Sequence, residues 1–315
     1  MSEYRAISIE DVALDQSSID KASAFDIYIQ VTDTKYLKLS NAGEGLSKER
    51  LDAYRAKGTT QLFLTAEDYQ RYTLSGVEAL MLPGAAQAAE LRQEGEASLA
   101  ILFSNQVDGF VLELANTLMD NVLSMVTSTP NMLELLVGLR REDKTGELLY
   151  KHAMSVSMLS VMLAHAMGWS SSTELHKIGM AGVFHDIGKK DLEKSLLWNK
   201  HLPRTKEDEL RREHCQKGAE LLAASGDVPP DVIEAVRNHH ETCLGTGPGR
   251  LAPAAISVMA KIIAVADEFC KLTIDDPNGP RMDAENAVSD IALAEEFDRD
   301  VTKALVHLFK KRTAG

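Results

Sequence analysis

The chain has 315 residues, 44% of them apolar, with a formal net charge of −13 and a pI near 5.2. That length and apolar content suit one sizeable core plus a smaller second domain and argue against disorder. The acidic balance argues against DNA or RNA as a partner, because counterion release needs clustered Lys and Arg; a small anionic ligand in a locally basic pocket stays open.

In chain order, the opening MSEYRAISIEDV lacks a basic stretch followed by an apolar one, so no signal peptide is expected. Residues 26–39, DIYIQVTDTKYLKL, read as a β-hairpin about the polar turn TDTK. SKERLDAYRAKG follows as a short helix capped by Ser47 and closed by Gly58, then TTQLFL as a strand and AEDYQRYTLSGVEALM as a helix. These segments form a small α/β domain over residues 1–83, ending near Pro83-Gly84 and suited to a regulatory or interaction role.

Beyond that boundary the spacing of apolar residues becomes three and four, as in LAILFSNQVDGFVLELANTLMDNVL and YKHAMSVSMLSVMLAHAMG. The spacing predicts a nearly all-helical domain over residues 84–315, broken at Thr129-Pro130, 168–172, Leu202-Pro203, 226–230, GTGPGRLAP and DDPNGP. The amphipathic stretch near 85–125 offers a route to a homodimer. Lys261 interrupts the longest apolar run, residues 254–266, before it reaches spanning length, so a cytoplasmic protein without membrane insertion is expected.

All nine histidines lie beyond residue 151, and they divide into two kinds. His165, His176, His201 and His307 have mixed or polar surroundings and read as structural or surface residues. His152 shares a helix face with Ser155, Leu159 and Met162; His185 shares one with Ile178, Ala181 and Gly182, small residues that admit a neighbouring helix. His214 lies with Leu210, Gly218 and Leu221, the pair His239-His240 ends a helix begun by Pro229-Pro230, and Asp267 lies with Ile256, Ala260 and Ile263. An acid or imidazole on the apolar face of five consecutive predicted helices would leave each an unsatisfied buried group. A shared metal centre satisfies them together. With Asp186 included, five histidines and two aspartates are too many donors for one ion and enough for two, with Asp186 as the natural bridge.

Three cysteines, Cys215, Cys243 and Cys270, lie far apart with no CxxC pair, which fits a reducing cytoplasm and ordinary free thiols, and argues against a disulfide framework or a thiolate zinc site. With nitrogen and oxygen donors alone, iron is the first expectation for the two metals, manganese next, with zinc left open.

The order H…HD…H…HH…D resembles the HD superfamily of metal-dependent phosphohydrolases, and its details resemble the HD-GYP branch. HDIGK at 185–189 is similar to the core motif, REHCQKGAELL to a helix of the form RxHxxxGxxLL, HHETCLGTGP to HHExxxGxGYP, and KIIAVADEF to RIIAVADxF. The resemblance implies a helical HD-domain bundle carrying a bimetallic site. It implies the ligands His152, His185, Asp186, His214, His239, His240 and Asp267, the set reached from the helix faces. It also implies hydrolysis of cyclic di-GMP, or a related nucleotide phosphoester, to pGpG or GMP. Two nearby cations can polarise a phosphoryl oxygen and hold a bridging hydroxide in line with phosphorus. Lys189 and Asp186 are then the catalytic residues, Lys189 stabilising phosphate charge, with Lys261 assisting in place of the family's arginine.

The departures are specific. Gly247-Pro248 stands where the family has Gly-Tyr-Pro. Leu148 and Cys270 stand where trimetallic members carry Glu and Asp, which argues against a third metal. Asp276-Pro277 replaces Arg-Pro, placing an acid where the family places a phosphate-side or guanine-side arginine. The alternative is therefore a weak or inactive module that binds metal and nucleotide and signals through partner proteins; a di-iron oxygenase ranks third.

Overall fold

The computed structural model describes residues 4–8, 25–32, 34–44, 46–69, 71–72, 107–128, 148–191, 203–273 and 282–313. The chain divides into two compact units, Met1–Ile101 and Leu102–Gly315. The expected boundary at Pro83-Gly84, much of the amphipathic stretch 85–125, and the breaks at Thr129-Pro130 and DDPNGP lie outside the described residues.

In the first unit, strands β1 (Tyr4–Ser8), β2 (Ile27–Thr32), β3 (Lys35–Ser40) and β4 (Gln61–Thr65) form a sheet of order β1-β4-β2-β3, with α1 (Lys48–Ala56) between β3 and β4. All pairings are antiparallel. The expected hairpin is β2-β3, and Ser47 caps α1 by accepting from Arg50 N at 3.4 Å. The strand missed by the sequence reading is β1, whose register sets Ile7 opposite Leu62 and Ala6 opposite Phe63. Alternation then gives the sheet one aliphatic face, with Ile7, Leu62 and Leu64 buried, and one aromatic face. On the latter, Tyr4 stacks on Tyr36 at 4.2 Å and meets Tyr28 edge-on at 4.9 Å.

The second unit is helical: α2 (Gly109–Ser128), α3 (Leu148–Ala166), α4 (Ser172–Phe184), α5 (Arg204–Ser225), α6 (Pro230–Asn238), α7 (Val258–Thr273), α8 (Ala284–Leu293) and α9 (Arg299–Thr313). The expected helical class is therefore observed. Among the described residues no helix is long and apolar enough to cross a membrane.

Helix α3 is the centre of this unit, and every residue from His152 to Ala164 on it is buried. Gly168, at φ 92°, ends it in the left-handed conformation with its amide on His165 O. Helix α4 packs against α3 where both are smallest: a Cβ on Gly182 would lie 2.6 Å from Ser157 Cα. Ser157 Oγ, free of bulk above it, donates to Gly179 O at 2.8 Å. Pro229 and Pro230 start α6, where a missing amide costs nothing. Helix α7 packs on α3, α6 and α8, and Phe269 on α7 meets Phe309 on α9 at 5.1 Å. Two details differ from expectation. Ile256 precedes α7 instead of lying on its face, and Leu222, more than Leu221, carries the buried side of α5 after Gly218.

Candidate metal centre

The five segments bring His152 (α3), His185 and Asp186 (after α4), His214 (α5), His239 and His240 (after α6) and Asp267 (α7) into one buried cluster. His239 and His185 are 0% exposed, Asp186 1%. Helix ends matter here: two of the donor groups sit just beyond a C-terminus, where the side chain can bond back to its own last turn. His185 Nδ1 donates to Gly182 O at 2.7 Å, His239 Nδ1 to Val236 O at 2.7 Å, and His214 Nδ1 to Leu210 O at 2.8 Å. Each bond assigns the proton to Nδ1 and leaves the Nε2 lone pair facing the cluster, the tautomer a metal requires.

Asp186 lies between two groups of imidazoles. Its Oδ2 is 3.3 Å from His185 Nε2 and 3.6 Å from His152 Nε2, while its Oδ1 is 3.3 Å from His214 Nε2 and 3.9 Å from His239 Nε2. Asp267 Oδ1 is 3.0 Å from His152 Nε2, and its Oδ2 is 3.9 Å from His240 Nδ1. His152 and His185 approach to 3.1 Å between Nε2 atoms. Asp186 Oδ1 and Asp267 Oδ1 are buried yet accept no hydrogen bond of good geometry. Buried carboxylate oxygens facing imidazole lone pairs are costly in a bare protein and natural around a cation, so these residues fit a metal centre.

Two lysines touch the cluster. Lys189 Nζ is 2.6 Å from Asp186 Oδ2, one turn after His185 as expected. Lys271 pairs with Asp267, four residues earlier on α7, and was missed by the sequence reading although the i, i+4 spacing carried the signal. Lys261, expected to assist, instead pairs with Asp298 at 3.2 Å. Cys215 is a second omission. Its thiol lies 3.7 Å from His214 Nε2 and 3.6 Å from His239 Nδ1. His165 and His307 are exposed and His176 is half-buried, 3.9 Å from Asp120, in keeping with structural roles; His201 and Asp276 lie outside the described residues.

The loop that carries Gly247-Pro248 is tied to Glu241. Glu241 accepts from Gly249 N and, at 3.0 Å, from Leu251 N. A Cβ on Gly247 would lie 2.6 Å from Glu241 Cα, so only glycine admits this approach.

Burial and charge divide the titrations. For Asp186 burial opposes ionisation, but His185, Lys189 and His214 outweigh it and hold the carboxyl well below its usual range. For Asp267 the same balance is struck by Lys271, His152 and His185. Burial and the Lys189 charge lower His214 to about 4, and burial with neighbouring imidazoles holds His239 and His240 well below the usual 6.5. His185 is also opposed by burial, but Asp186 and Asp267 raise it. Burial pushes the Cys215 thiol up.

These directions fix a pH dependence. Between 6.5 and about 4 the unfolded chain takes up protons at His214 that the folded chain refuses, so stability falls as pH drops through that window. His239 and His240 act in the same sense; His185 acts oppositely, its contribution being present below 6.5 and lost on raising the pH. Three lowered groups against one raised give a net loss on acidification. In chelator, the thermal midpoint followed by helical circular dichroism is expected to fall between about pH 7 and pH 5. A midpoint that rose would contradict the assignment of neutral imidazoles.

Comparison with known proteins agrees with the motif resemblance. A family model described as HD domain matches residues 143–301. A cyclic di-GMP phosphodiesterase of Pseudomonas aeruginosa is 31% identical over 223 residues, covering 70% of this chain and 53% of that protein. A 3′3′-cGAMP-specific phosphodiesterase 2 of Vibrio cholerae is 29% identical over 173 residues, covering 50% of this chain and 33% of that protein. The matched region thus spans about half or less of these relatives' length. A solved HDG"Y"P protein from Bdellovibrio bacteriovorus shares the fold, with a TM-score of 0.61 at 18% identity over 98% of this chain and 99% of that one.

Proposed function

The chain belongs to the HD domain family, and from that premise we propose that it is a metal-dependent phosphodiesterase of cyclic dinucleotides, with two metals per chain and cyclic di-GMP as first substrate. The observation that carries this reading is the division of Asp186: one carboxylate oxygen faces His152 and His185, the other His214 and His239. A bridging ligand between two cations needs that arrangement. The relatives that act on cyclic di-GMP and on 3′3′-cGAMP support the substrate class.

His152, His185 and Asp267 would hold one cation, His214, His239 and His240 the other, with Asp186 between them. Bound cations would supply Lewis-acid polarisation and a low-pKa water. The chain supplies the rest. The Nδ1 bonds to Gly182, Val236 and Leu210 carbonyls fix three imidazoles in place and in tautomer. Lys189, one-fifth exposed at the edge of the cluster, turns from Asp186 to a phosphate oxygen as charge grows there. Lys271 keeps Asp267 ionised. The N-terminal residues before about 84 serve regulation or interaction in this proposal, and the helical residues after them carry the chemistry.

The test is metal content and hydrolysis of cyclic di-GMP and 3′3′-cGAMP by the anaerobically purified chain. Lys189→Ala is expected to keep its metal and lose activity by about a hundredfold or more. Loss of metal in that variant would make Lys189 structural. The second reading, a signalling module that binds without turnover, is favoured by the missing tyrosine and by Asp276. Bound metal with nucleotide binding but no hydrolysis in the wild-type chain would select it.

A further inference from the structure

Lys271 stands at an open edge of the metal centre. Six of the seven donor residues are buried, and His240 is one-tenth exposed. The two lysines are more open, Lys189 one-fifth exposed and Lys271 one-third. Among the described residues, these three side chains are where a ligand arriving from solvent meets the cluster. Lys271 Nζ and His240 Nδ1 approach the same atom, Asp267 Oδ2.

The lysines repeat one arrangement. Each donates to the Oδ2 atom of a carboxylate, Lys189 to Asp186 and Lys271 to Asp267. An ammonium group has three N–H donors, and among the described residues neither lysine has a second acceptor. In the chain alone, two ammonium charges thus balance two carboxylates. Divalent ions on those carboxylates would reverse the field at both lysines, so that each faces a net positive charge where it had faced a negative one. Flexible four-carbon stems at the cluster edge let both ammonium groups swing away from the ions and seek another anion. Both charges already reach the second imidazole group, where each helps to hold His214 neutral.

We propose that Lys271 is a second phosphate-binding residue beside Lys189, released from Asp267 when the centre takes up its ions, so that the edge of the cluster becomes an anion site in the metal-loaded chain. The inference rests on the metal-centre reading above and assigns Lys271 to the phosphate oxygens of the substrate. A lysine suits that task as a point charge that needs no fixed approach. Metal and phosphate then strengthen each other's binding.

The experiment titrates inorganic phosphate calorimetrically into the full chain, metal-free and loaded with iron(II) without oxygen, for the wild type, Lys271→Ala and Lys271→Arg, with metal content measured for each. The loaded wild type is expected to bind phosphate and the metal-free chain at least about tenfold more weakly. Loaded Lys271→Ala should keep its metal and lose at least about tenfold in phosphate affinity, the lower end for a hydrogen bond to a charged group, while Lys271→Arg, which keeps the charge, loses less. Acetylation of Lys271 in the wild type, followed by mass spectrometry, should speed up on metal loading and slow again with phosphate. Phosphate bound by loaded Lys271→Ala as tightly as by the wild type overturns the role of Lys271 and leaves the metal centre standing. Loss of metal from Lys271→Ala would make Lys271 a positioning residue for Asp267 and overturn the proposal as well. Failure of the wild type to bind iron or manganese overturns both readings. Should the variants misfold, the acetylation rates decide, and rates indifferent to metal and phosphate reject the proposal.

Discussion

Asp186→Ala is expected to strip the metal from both positions and to lower cyclic dinucleotide hydrolysis by at least about a hundredfold. The reason is geometric. Each oxygen of this carboxylate faces a different imidazole group, so on the proposed two-metal reading its removal would withdraw a ligand from both cations at once and would leave two nearby positive charges without the anion between them. The fold should survive, because the freed partner Lys189 is at the cluster edge and can turn to water. Asp267→Ala is the contrasting case: of the imidazoles, His152 and His185 lie nearest its Oδ1, while the other group meets it only through His240 at 3.9 Å from Oδ2, so the His214 and His239 position should keep its ion. Metal analysis of the two variants beside the wild type checks both statements. Full metal content in Asp186→Ala would remove the bridge from the mechanism.

How much of this centre was legible beforehand follows from what sequence spacing can encode. His152, His214 and Asp267 are read from helix faces, because a polar group on an apolar face points to the core wherever the neighbouring helices go. The small residues beside His185 likewise anticipate the close approach at Ser157. Cys215 could not be read this way. It follows His214 by one position, without a CxxC partner, and its meeting with His239 depends on how α5 packs on α6. Lys271 is within reach of the i, i+4 rule, whereas Lys261, which stands in place of the family's arginine, is turned by the fold to Asp298. Strand β1 is five residues flanked by acids, too short to show alternation, and it is a strand because β4 offers Leu62 and Leu64 an antiparallel neighbour. The loop after His240 shows the reverse case: GTGPG reads only as a helix break, whereas in the fold Glu241 gathers the amides of Gly249 and Leu251.

Gly188→Ala is expected to destabilise the helical unit by about 3 kcal/mol, near the upper end for overpacking, and to lower its melting midpoint by roughly 10 °C. The short 3-10 turn Ile187–Asp191 crosses α5 with no room for a side chain: a Cβ at Gly188 would lie 2.0 Å from His214 O and 2.7 Å from Gly218 N. These are backbone atoms within a helix, so neither can rotate aside, and the turn or α5 must move. Gly218 faces the same crossing, 3.4 Å from Gly188 N by its own would-be Cβ, which leaves no slack on the other side. Such a movement separates Asp186 and Lys189 from His214, so metal content should fall even in molecules that remain folded. Gly109→Ala is the control, since nothing lies within 4 Å of its would-be Cβ at the start of α2. Thermal melts of the two variants, with metal analysis of each, separate the outcomes. A Gly188→Ala protein that melted with the wild type and kept its metal would mean that the turn is not held against α5, and with it the placement of Asp186 between the two imidazole groups would fall.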